Sequence, residues 1–347
     1  METKILNIDP NNIDIEKILI ASDVIKKGGL VAFPTETVYG LGADAFNENA
    51  VKKIFIAKGR PNDNPLIVHI TEKIDINDIV EYFPENAILL KNKFWPGPLT
   101  MILPKSKRIP FVVTGNLNTV AVRMPSHNIA KSLINYSGCP IAAPSANISG
   151  KPSPTKAEHV IKDMFGKIDV IIDGGQTDIG LESTVIDLTK DIPIIYRPGK
   201  ITVEEIEKVI GKVELSPIAK AELRLDNIIA MSPGMKYRHY SPDTPLILYE
   251  GEGDKVINAM ENDLNVLKNN NKKVALILLD NYIKSDMTIV FNSKDLENIA
   301  RNIFSTLREL DKYKFDYILV QGVDDQGLGL AIMNRLRKAS TNIVKVE

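Results

Sequence analysis

Residues 30–42 of the 347-residue chain read Leu-Val-Ala-Phe-Pro-Thr-Glu-Thr-Val-Tyr-Gly-Leu-Gly, an apolar run that ends in hydroxyl, carboxylate and phenol groups. An amphipathic pattern over residues 14–27 precedes it and stops at Gly28-Gly29, which predicts a helix followed by a buried strand. Strand ends in α/β sheets often host binding sites, so the polar turn is a candidate site, although an ordinary turn capped by Thr35 explains the same residues. Gly40 and Gly42 are interpreted as turn glycines.

Outward from this stretch, strand patterns predominate up to about residue 200, and several follow one another without a helix between them. This order predicts an N-terminal α/β domain with a twisted mixed sheet. Beyond residue 245, apolar runs alternate strictly with helical patterns, which predicts a smaller Rossmann-like parallel α/β domain. We expect an N-terminal domain over residues 1–210, a linker or lid over 211–244, and a C-terminal domain over 245–347.

The composition excludes several classes of protein. The chain has 43 Lys and Arg against 44 Asp and Glu, a net charge of −1, so it is not basic throughout. Its one cysteine, Cys139, cannot form a disulfide framework or a cysteine-built zinc site, and the four histidines lack metal-ligand spacing. We therefore expect no protein-built metal site, a cytoplasmic location and no membrane segment.

Although the net charge of the chain is close to zero, one segment has an excess of positive charge; we call residues 86–157 the positive window. Residues 86–157 contain no Asp or Glu but nine Lys and Arg: Lys91, Lys93, Lys105, Lys107, Arg108, Arg123, Lys131, Lys151 and Lys156. A local excess of positive charge of this kind fits a polyanion such as ATP or RNA.

Two pairs of side chains with two-residue spacing lie next to apolar runs. Lys58 and Arg60 would point the same way in an extended segment, which suits a phosphate or a carboxylate. Ser145 and Asn147 offer neutral hydrogen-bond donors and acceptors. No His–Asp arrangement accompanies Ser145, so it is interpreted as a binding residue and not a nucleophile. A loop without a ligand remains the alternative for each pair.

Arg123 interrupts a run from Ile109 to Asn128 that contains no other Lys, Arg, Asp or Glu. Buried charges are normally paired, so its guanidinium should meet an anion. A structural carboxylate and a substrate carboxylate both satisfy this requirement. The common nucleotide and catalytic signatures, such as the P-loop and the nucleophile elbow, are absent from the sequence.

Taken together, the motifs of the chain resemble those of the threonylcarbamoyl-AMP synthases. They are Phe33-Pro-Thr-Glu-Thr-Val-Tyr-Gly-Leu-Gly42, Lys58-Gly-Arg-Pro61, Asn64-Pro-Leu66, Phe94-Trp-Pro-Gly-Pro-Leu-Thr100, Val122-Arg-Met-Pro125, Ala143-Pro-Ser-Ala-Asn-Ile-Ser-Gly150 and Glu182-Ser-Thr-Val185. A later segment, Ser232-Pro-Gly-Met-Lys-Tyr-Arg-His-Tyr-Ser-Pro242, resembles the long, two-domain form of the family. The resemblance spans nearly the whole chain and implies a YrdC-like N-terminal domain.

The resemblance implies an enzyme that joins L-threonine, bicarbonate or CO2, and ATP into L-threonylcarbamoyladenylate, with Mg²⁺ accompanying ATP and pyrophosphate released. It also implies three sets of site residues. The catalytic set is Lys58, Arg60, Ser145 and Asn147; the L-threonine set is Thr37, His69, Arg123, Ala143 and Ser183; the ATP set is Arg60, Asn64, Thr119, Ser145, Ser153, Arg197 and Tyr240. Residues 231–245, and Tyr237 to Tyr240 in particular, are expected to close over the nucleotide as a lid.

The implied product serves N6-threonylcarbamoyladenosine formation in tRNA. A downstream tRNA threonylcarbamoyl transferase is therefore an expected partner, and tRNA or double-stranded RNA is a further candidate. Two other functions stay open. An RNA-binding, translation-associated protein would bind RNA with a steep salt dependence and perform no nucleotide chemistry. A carbamoyltransferase that handles carbamoyl-adenylate would normally carry zinc-finger motifs, which a single cysteine cannot build.

Overall fold

The computed structural model describes residues 2–61, 64–221, 240–280 and 283–346. These residues divide into an N-terminal unit, residues 2–149 with 153–221, and a C-terminal unit, residues 150–152 with 240–346. Most of the predicted lid, including Tyr237, lies outside the described residues; Tyr240 is described.

The strands of the N-terminal unit form one mixed sheet. They are β1 (Lys4–Asn7), β2 (Val31–Pro34), β3 (Tyr39–Asp44), β4 (Ile67–His69), β5 (Leu99–Pro104), β6 (Thr119–Arg123), β7 (Ile141–Ala142), β8 (Val170–Asp173), β9 (Thr184–Asp187), β10 (Ile194–Arg197) and β11 (Glu214–Leu215). Their order across the sheet is β1-β8-β2-β3-β7-β4-β6-β5-β9-β10-β11. The sheet contains parallel pairs, such as β4 with β6, and antiparallel pairs, such as β5 with β6, which confirms the predicted mixed sheet.

Helices lie between many of these strands. They are α1 (Ile15–Lys26), α2 (Glu48–Lys58), α3 (Glu85–Phe94), α4 (Phe111–Thr114), α5 (Asn128–Ser137), α6 (Ala157–Met164) and α7 (Val203–Ile210), with a short 3₁₀ turn at Ile76–Asp78. Helix α1 begins after Asp14, whose side chain accepts a hydrogen bond from the backbone N–H of Lys17. Helix α2 ends at Gly59, whose left-handed conformation (φ 60°) stops the helix directly after Lys58.

The two faces of the central strands carry different side chains. One face joins the largest hydrophobic cluster of the unit through Val68, Met101, Val122 and Ile186. The pairing of β4 with β6, and of β5 with β6, places His69 and Thr100 beside Arg123 on the other face. A small apolar cluster continues from these polar side chains: Ile67, Ile102, Ala121 and Val185. Around β4, β5 and β6, one face therefore forms the core and the other carries buried polar groups. Further along the sheet, the face that carries His69 joins a second hydrophobic cluster, which includes Ile141.

The C-terminal unit contains a five-stranded sheet with the order β14-β13-β15-β12-β16. Its strands are β12 (Leu246–Gly251), β13 (Val274–Leu279), β14 (Met287–Phe291), β15 (Tyr317–Gln321) and β16 (Asn342–Val346). Its helices are α8 (Gly253–Asn269), α9 (Leu296–Leu310) and α10 (Leu328–Ala339), with a 3₁₀ turn at Asp311–Tyr313. Every neighbouring pair of strands is parallel, which confirms the predicted parallel α/β fold.

The expectation that Gly40 and Gly42 are turn residues is wrong, because both lie within β3. A Cβ atom at Gly42 would lie 2.6 Å from Ile141 Cγ2 and 2.7 Å from a ring carbon of Phe33. Glycine at this position lets the neighbouring side chains approach the strand closely. Strand β11, at residues 214–215, lies inside the range predicted as a linker.

Candidate functional site

Arg123, at the end of β6, contacts three separate segments of the N-terminal unit. Its Nη2 lies 2.7 Å from Glu36 Oε1, its Nη1 donates to Thr37 Oγ1 at 2.8 Å, and its Nε donates to the Gly97 carbonyl at 3.3 Å. The side chains of Arg123 and Glu36 are only 4% and 6% exposed. Of the two anions that the sequence allowed for Arg123, the structural carboxylate is present, and it is Glu36.

The turn between β2 and β3 is held together by hydroxyl groups. Thr35 Oγ1 donates to the Val38 carbonyl at 2.7 Å and lies 2.8 Å from Thr37 Oγ1. Burial would raise the pKa of the Glu36 carboxyl, but the adjacent Arg123 guanidinium outweighs burial and holds that pKa below its usual value. The turn therefore presents an ionised carboxylate and a hydroxyl to one guanidinium.

His69 lies opposite Arg123 in the pairing of β4 with β6 and is buried. Burial, assisted by the positive charge of Arg123, lowers the pKa of His69 to about 3. Its Nδ1 lies 3.2 Å from the Ile67 carbonyl, and its ring meets Phe33 edge to face at 6.3 Å. At neutral pH the imidazole is uncharged, so it can offer a ligand a hydrogen bond but no charge.

Ser183 connects a second arginine to the same sheet face. Its Oγ lies 2.7 Å from Thr100 Oγ1, and Arg197 donates to its Oγ through Nη2 at 3.1 Å and to its carbonyl through Nε at 3.0 Å. Thr100 pairs with Arg123 between β5 and β6. One residue before Ser183, the Glu182 carboxylate accepts a hydrogen bond from Ser153 Oγ. The structure thus brings the predicted residues Thr37, His69, Arg123, Ser153, Ser183 and Arg197 into one linked group.

Lys58, Ser145 and Asn147 form a second group. The Lys58 ammonium, almost fully buried at the end of α2, donates to the carbonyls of Ser145 and Asn147, both at 2.6 Å. Ser145 Oγ donates to Asn147 Oδ1 at 2.5 Å. The loop is attached to β3, because the Ala146 N–H donates to the Tyr39 carbonyl at 2.8 Å. Lys58 therefore orders the Ser-x-Asn loop; the predicted contact of its charge with phosphates stays a prediction.

Two further predicted residues are Ala143, which directly follows β7, and Thr119, the first residue of β6. The Ala143 N–H donates to the Ile67 carbonyl at 2.9 Å, so this N–H takes part in the sheet. Thr119 begins β6, four residues before Arg123 and therefore about 13 Å from it along the same strand face. Their predicted contacts with threonine and ATP stay predictions.

For the three remaining predicted ATP residues, Asn64, Arg60 and Tyr240, contact with ATP stays a prediction. Asn64 is fully buried, and its carboxamide has no hydrogen-bond partner within the part of the chain that the structure describes. Arg60 is half-buried just after α2. Tyr240 belongs to the C-terminal unit, where its ring stacks on Phe304 with the centroids 5.2 Å apart.

Sequence reasoning missed Glu36, Thr100 and Glu182 as members of the site. Glu36 could have been found, because an isolated charge in an uncharged, buried turn needs a partner just as Arg123 does. Thr100 is the last residue of the family motif that starts at Phe94, so its place in that motif was a signal. No local signal pairs Glu182 with Ser153, which lies 29 residues away.

The positive window of residues 86–157 is partly engaged in local contacts. Lys105 Nζ donates to the Ile109 carbonyl at 3.0 Å and lies 4.3 Å from the centroid of the Phe111 ring. Within the described ranges, no group of three or more His, Cys, Asp or Glu side chains is placed to hold a metal ion. None of the described helices is long and apolar enough to cross a membrane.

Comparison with known proteins covers both units. A family profile described as "Telomere recombination" matches residues 23–199, and one described as "Threonylcarbamoyl-AMP synthase, C-terminal domain" matches residues 201–341. The threonylcarbamoyl-AMP synthase of Pyrococcus abyssi is 54% identical over 346 residues, which are 99% of this chain and 100% of the relative. The chain belongs to the threonylcarbamoyl-AMP synthase family.

Other threonylcarbamoyl-AMP synthases and a crystal structure agree with this membership. The Bacillus subtilis synthase is 47% identical over 331 residues, 93% of each chain. A crystal structure of P. abyssi Sua5 complexed with L-threonine matches with a TM-score of 0.94 and 53% identity over 99% of both chains. Membership makes the chain a nucleotidyltransferase-type enzyme, which confirms the predicted family and enzyme class.

Proposed function

We propose that this threonylcarbamoyl-AMP synthase joins L-threonine, bicarbonate or CO2, and ATP at the two groups of residues around Arg123 and Lys58. Mg²⁺ enters with ATP, held by phosphate oxygens and water, the ligands it prefers. The product passes to a downstream transferase that modifies tRNA, and the reaction takes place in the cytoplasm. The observation that carries the proposal is the buried Arg123, which is fixed by Thr37 and Glu36 beside an uncharged His69.

The threonine end of the reaction is assigned to the Arg123 group. A guanidinium binds a carboxylate through two parallel N–H donors, which fixes the orientation of the amino acid. The hydroxyls of Thr37 and Ser183 and the neutral His69 offer uncharged partners for the rest of the ligand. The amine then forms a bond to the carbon of CO2 and loses a proton, and the resulting carbamate is the nucleophile for the next step.

The nucleotide end is assigned to Lys58, Arg60, Asn64, Thr119, Ser145, Asn147, Ser153, Arg197 and Tyr240. A carbamate oxygen attacks the α-phosphorus while the bond to pyrophosphate breaks, so positioning and stabilisation of charge matter more than a covalent intermediate. The buried Asn64 carboxamide, which has no hydrogen-bond partner among the described residues, supports this assignment, because a buried polar group without a partner is costly unless a ligand completes it.

Pyrophosphate release tests the proposal. Purified protein is incubated with ATP, Mg²⁺ and bicarbonate, with and without L-threonine, and release is expected only when threonine is present. In the Lys58→Met variant the rate should fall ~10²–10³-fold, because an ordered, charged contact with the nucleotide is lost. The matched control is Lys52→Met on the same helix, whose ammonium pairs with the exposed Glu48 and should change the rate less than twofold. Release with no amino acid dependence would refute the proposal.

A further inference from the structure

Arg123 is one half of a buried ion pair and not an isolated cation. Its Nη2 lies 2.7 Å from Glu36 Oε1, and neither residue forms another ion pair among the described residues. His69, the neighbouring titratable side chain on the sheet face, is neutral at physiological pH. The Arg123–Glu36 pair and the neutral His69 therefore contribute no net charge.

The ion pair leaves hydrogen-bond donors of Arg123 available for a carboxylate. A guanidinium has five N–H donors. Nε donates to the Gly97 carbonyl and Nη1 donates to Thr37 Oγ1, whereas Nη2 pairs with Glu36 by charge at 2.7 Å without hydrogen-bond geometry. At least one N–H therefore remains on each terminal nitrogen, and two donors can meet the two oxygens of a carboxylate. Glu36 thus changes the charge of the pocket without removing the donors that bind the substrate.

A ligand that carries only a carboxylate would place a second anion beside the same buried guanidinium. Like charges a few ångströms apart repel strongly where water is excluded. A ligand that also carries an ammonium group brings no net charge and avoids this cost. We infer that Glu36 is a specificity-determining residue, which makes the Arg123 pocket neutral so that it accepts zwitterionic amino acids and rejects hydroxy acids of the same shape. The inference rests on the proposed placement of threonine at Arg123.

A purely structural role for Glu36 makes a different prediction. If Glu36 only held Arg123 in place, its loss would weaken every carboxylate ligand by a similar factor. If it sets the charge of the pocket, its loss leaves an excess positive charge, and the preference between a zwitterion and a plain anion changes. The ratio of two affinities therefore separates the roles, whatever happens to each affinity alone.

The test compares L-threonine with (R)-3-hydroxybutyrate, which keeps the carboxylate, hydroxyl and methyl groups but lacks the amine. Dissociation constants are measured by calorimetry for the wild-type protein, Glu36→Gln and Glu250→Gln. We expect the wild-type protein to bind threonine at least tenfold more tightly, and this ratio to fall at least tenfold in Glu36→Gln. Glu250→Gln is the matched control, because it removes a carboxylate from the Arg337 ion pair of the C-terminal unit; its ratio should equal the wild-type ratio.

Each outcome decides a separate question. An unchanged ratio in a folded Glu36→Gln protein overturns the inference and leaves the proposed threonine site intact. If the wild-type protein binds neither ligand, the proposed function fails instead. Should Glu36→Gln not fold, the wild-type affinities decide: equal binding of threonine and (R)-3-hydroxybutyrate would show a net positive pocket and overturn the inference, and a preference for threonine supports it.

Discussion

In the N-terminal sheet the strands beside the site bury His69, Thr100 and Arg123, whereas the central strands β13 and β15 of the C-terminal sheet bury only apolar side chains. The second pattern is expected, because the strands of a parallel sheet are covered by helices on both faces. The first pattern costs free energy, since polar groups lose water when they are buried.

The buried polar groups of the C-terminal unit occupy different positions. Arg308, Asn334 and Arg335 lie on helices α9 and α10, and Arg308 donates through Nε and Nη2 to the Pro152 carbonyl at 3.0 and 2.5 Å. Arg308 thus has a backbone carbonyl 156 residues away as its partner, and Arg335 Nη1 donates to Oδ1 of the adjacent Asn334 at 3.2 Å. The comparison teaches that polar groups buried on one sheet face, and linked to each other across strands, mark the site more clearly than burial of polar groups in general.

The largest difference between the units should appear when an arginine is removed from each. Arg123→Ala leaves Glu36 buried and unpaired, which should cost about 3–5 kcal/mol of unfolding free energy, and it should lower pyrophosphate release at least ~10²-fold. Arg337→Ala breaks contacts with Glu250 and Asp325 at 2.8 Å, and we expect a loss of about 1–3 kcal/mol with activity within twofold of wild type.

Two spectroscopic signals separate the units in this experiment. Trp95 is the only tryptophan of the chain and lies in the N-terminal unit, so its fluorescence follows that unit alone during urea unfolding. Far-ultraviolet circular dichroism follows both units. A loss of activity in Arg337→Ala as large as that in Arg123→Ala would contradict the distinction between a site-bearing sheet and a structural one.

Much of this architecture could be predicted from the sequence. Apolar periodicity predicts a helix over residues 14–27 and strands over residues 170–173 and 274–279. Helix α1 and strands β8 and β13 agree with these limits within one residue. Strand β3 could not be predicted, because its apolar run is interrupted by Gly40 and Gly42. Its strand conformation depends on neighbours that are distant in sequence.

Most residues of the site could be predicted from the sequence, but the contacts between them could not. Arg123 was identifiable as a lone charge in an apolar run, but the sequence left a structural and a substrate carboxylate open as its partner. Glu36 lies 87 residues earlier in the chain, and only the pairing of the strands brings the two together. Long-range pairs of this kind depend on the topology of the sheet, which the local pattern does not specify.

The next largest effect is a change of stability with pH, which should differ between the two units. The pKa of His69 is about 3 in the folded protein and about 6.5 when unfolded, so the unfolded state binds the additional proton between these values. Stability of the N-terminal unit should therefore fall as the pH decreases, by about 2 kcal/mol between pH 7 and pH 5. Glu36 remains largely ionised in both states above pH 5, so this interval reports mainly on imidazoles.

The measurement is the urea midpoint of Trp95 fluorescence at pH 7, 6 and 5. His69→Gln should remove most of the pH dependence. His127→Gln is the control: burial also lowers the pKa of His127, but this side chain is only half-buried, so its removal should flatten the curve less. Residues 240–347 contain no histidine, so the C-terminal unit should show little change over this interval. A pH dependence that survives in His69→Gln would show that His69 is not buried as a neutral group.

The smallest effect should come from a buried hydroxyl of the C-terminal sheet. Tyr249 on β12 is fully buried and its hydroxyl donates to Asp263 Oδ2 at 2.6 Å, but Asp263 is exposed and water can replace the lost donor. Tyr249→Phe should therefore cost only about 1 kcal/mol, seen by circular dichroism, and leave both the Trp95 transition and the pyrophosphate rate unchanged. The Thr100→Val variant also deletes one hydroxyl, and it removes one of the two partners of Ser183 Oγ on the site face, so it should lose activity as well as stability. If Tyr249→Phe lowered the rate as much as Thr100→Val, the C-terminal sheet would have to be counted as part of the catalytic apparatus.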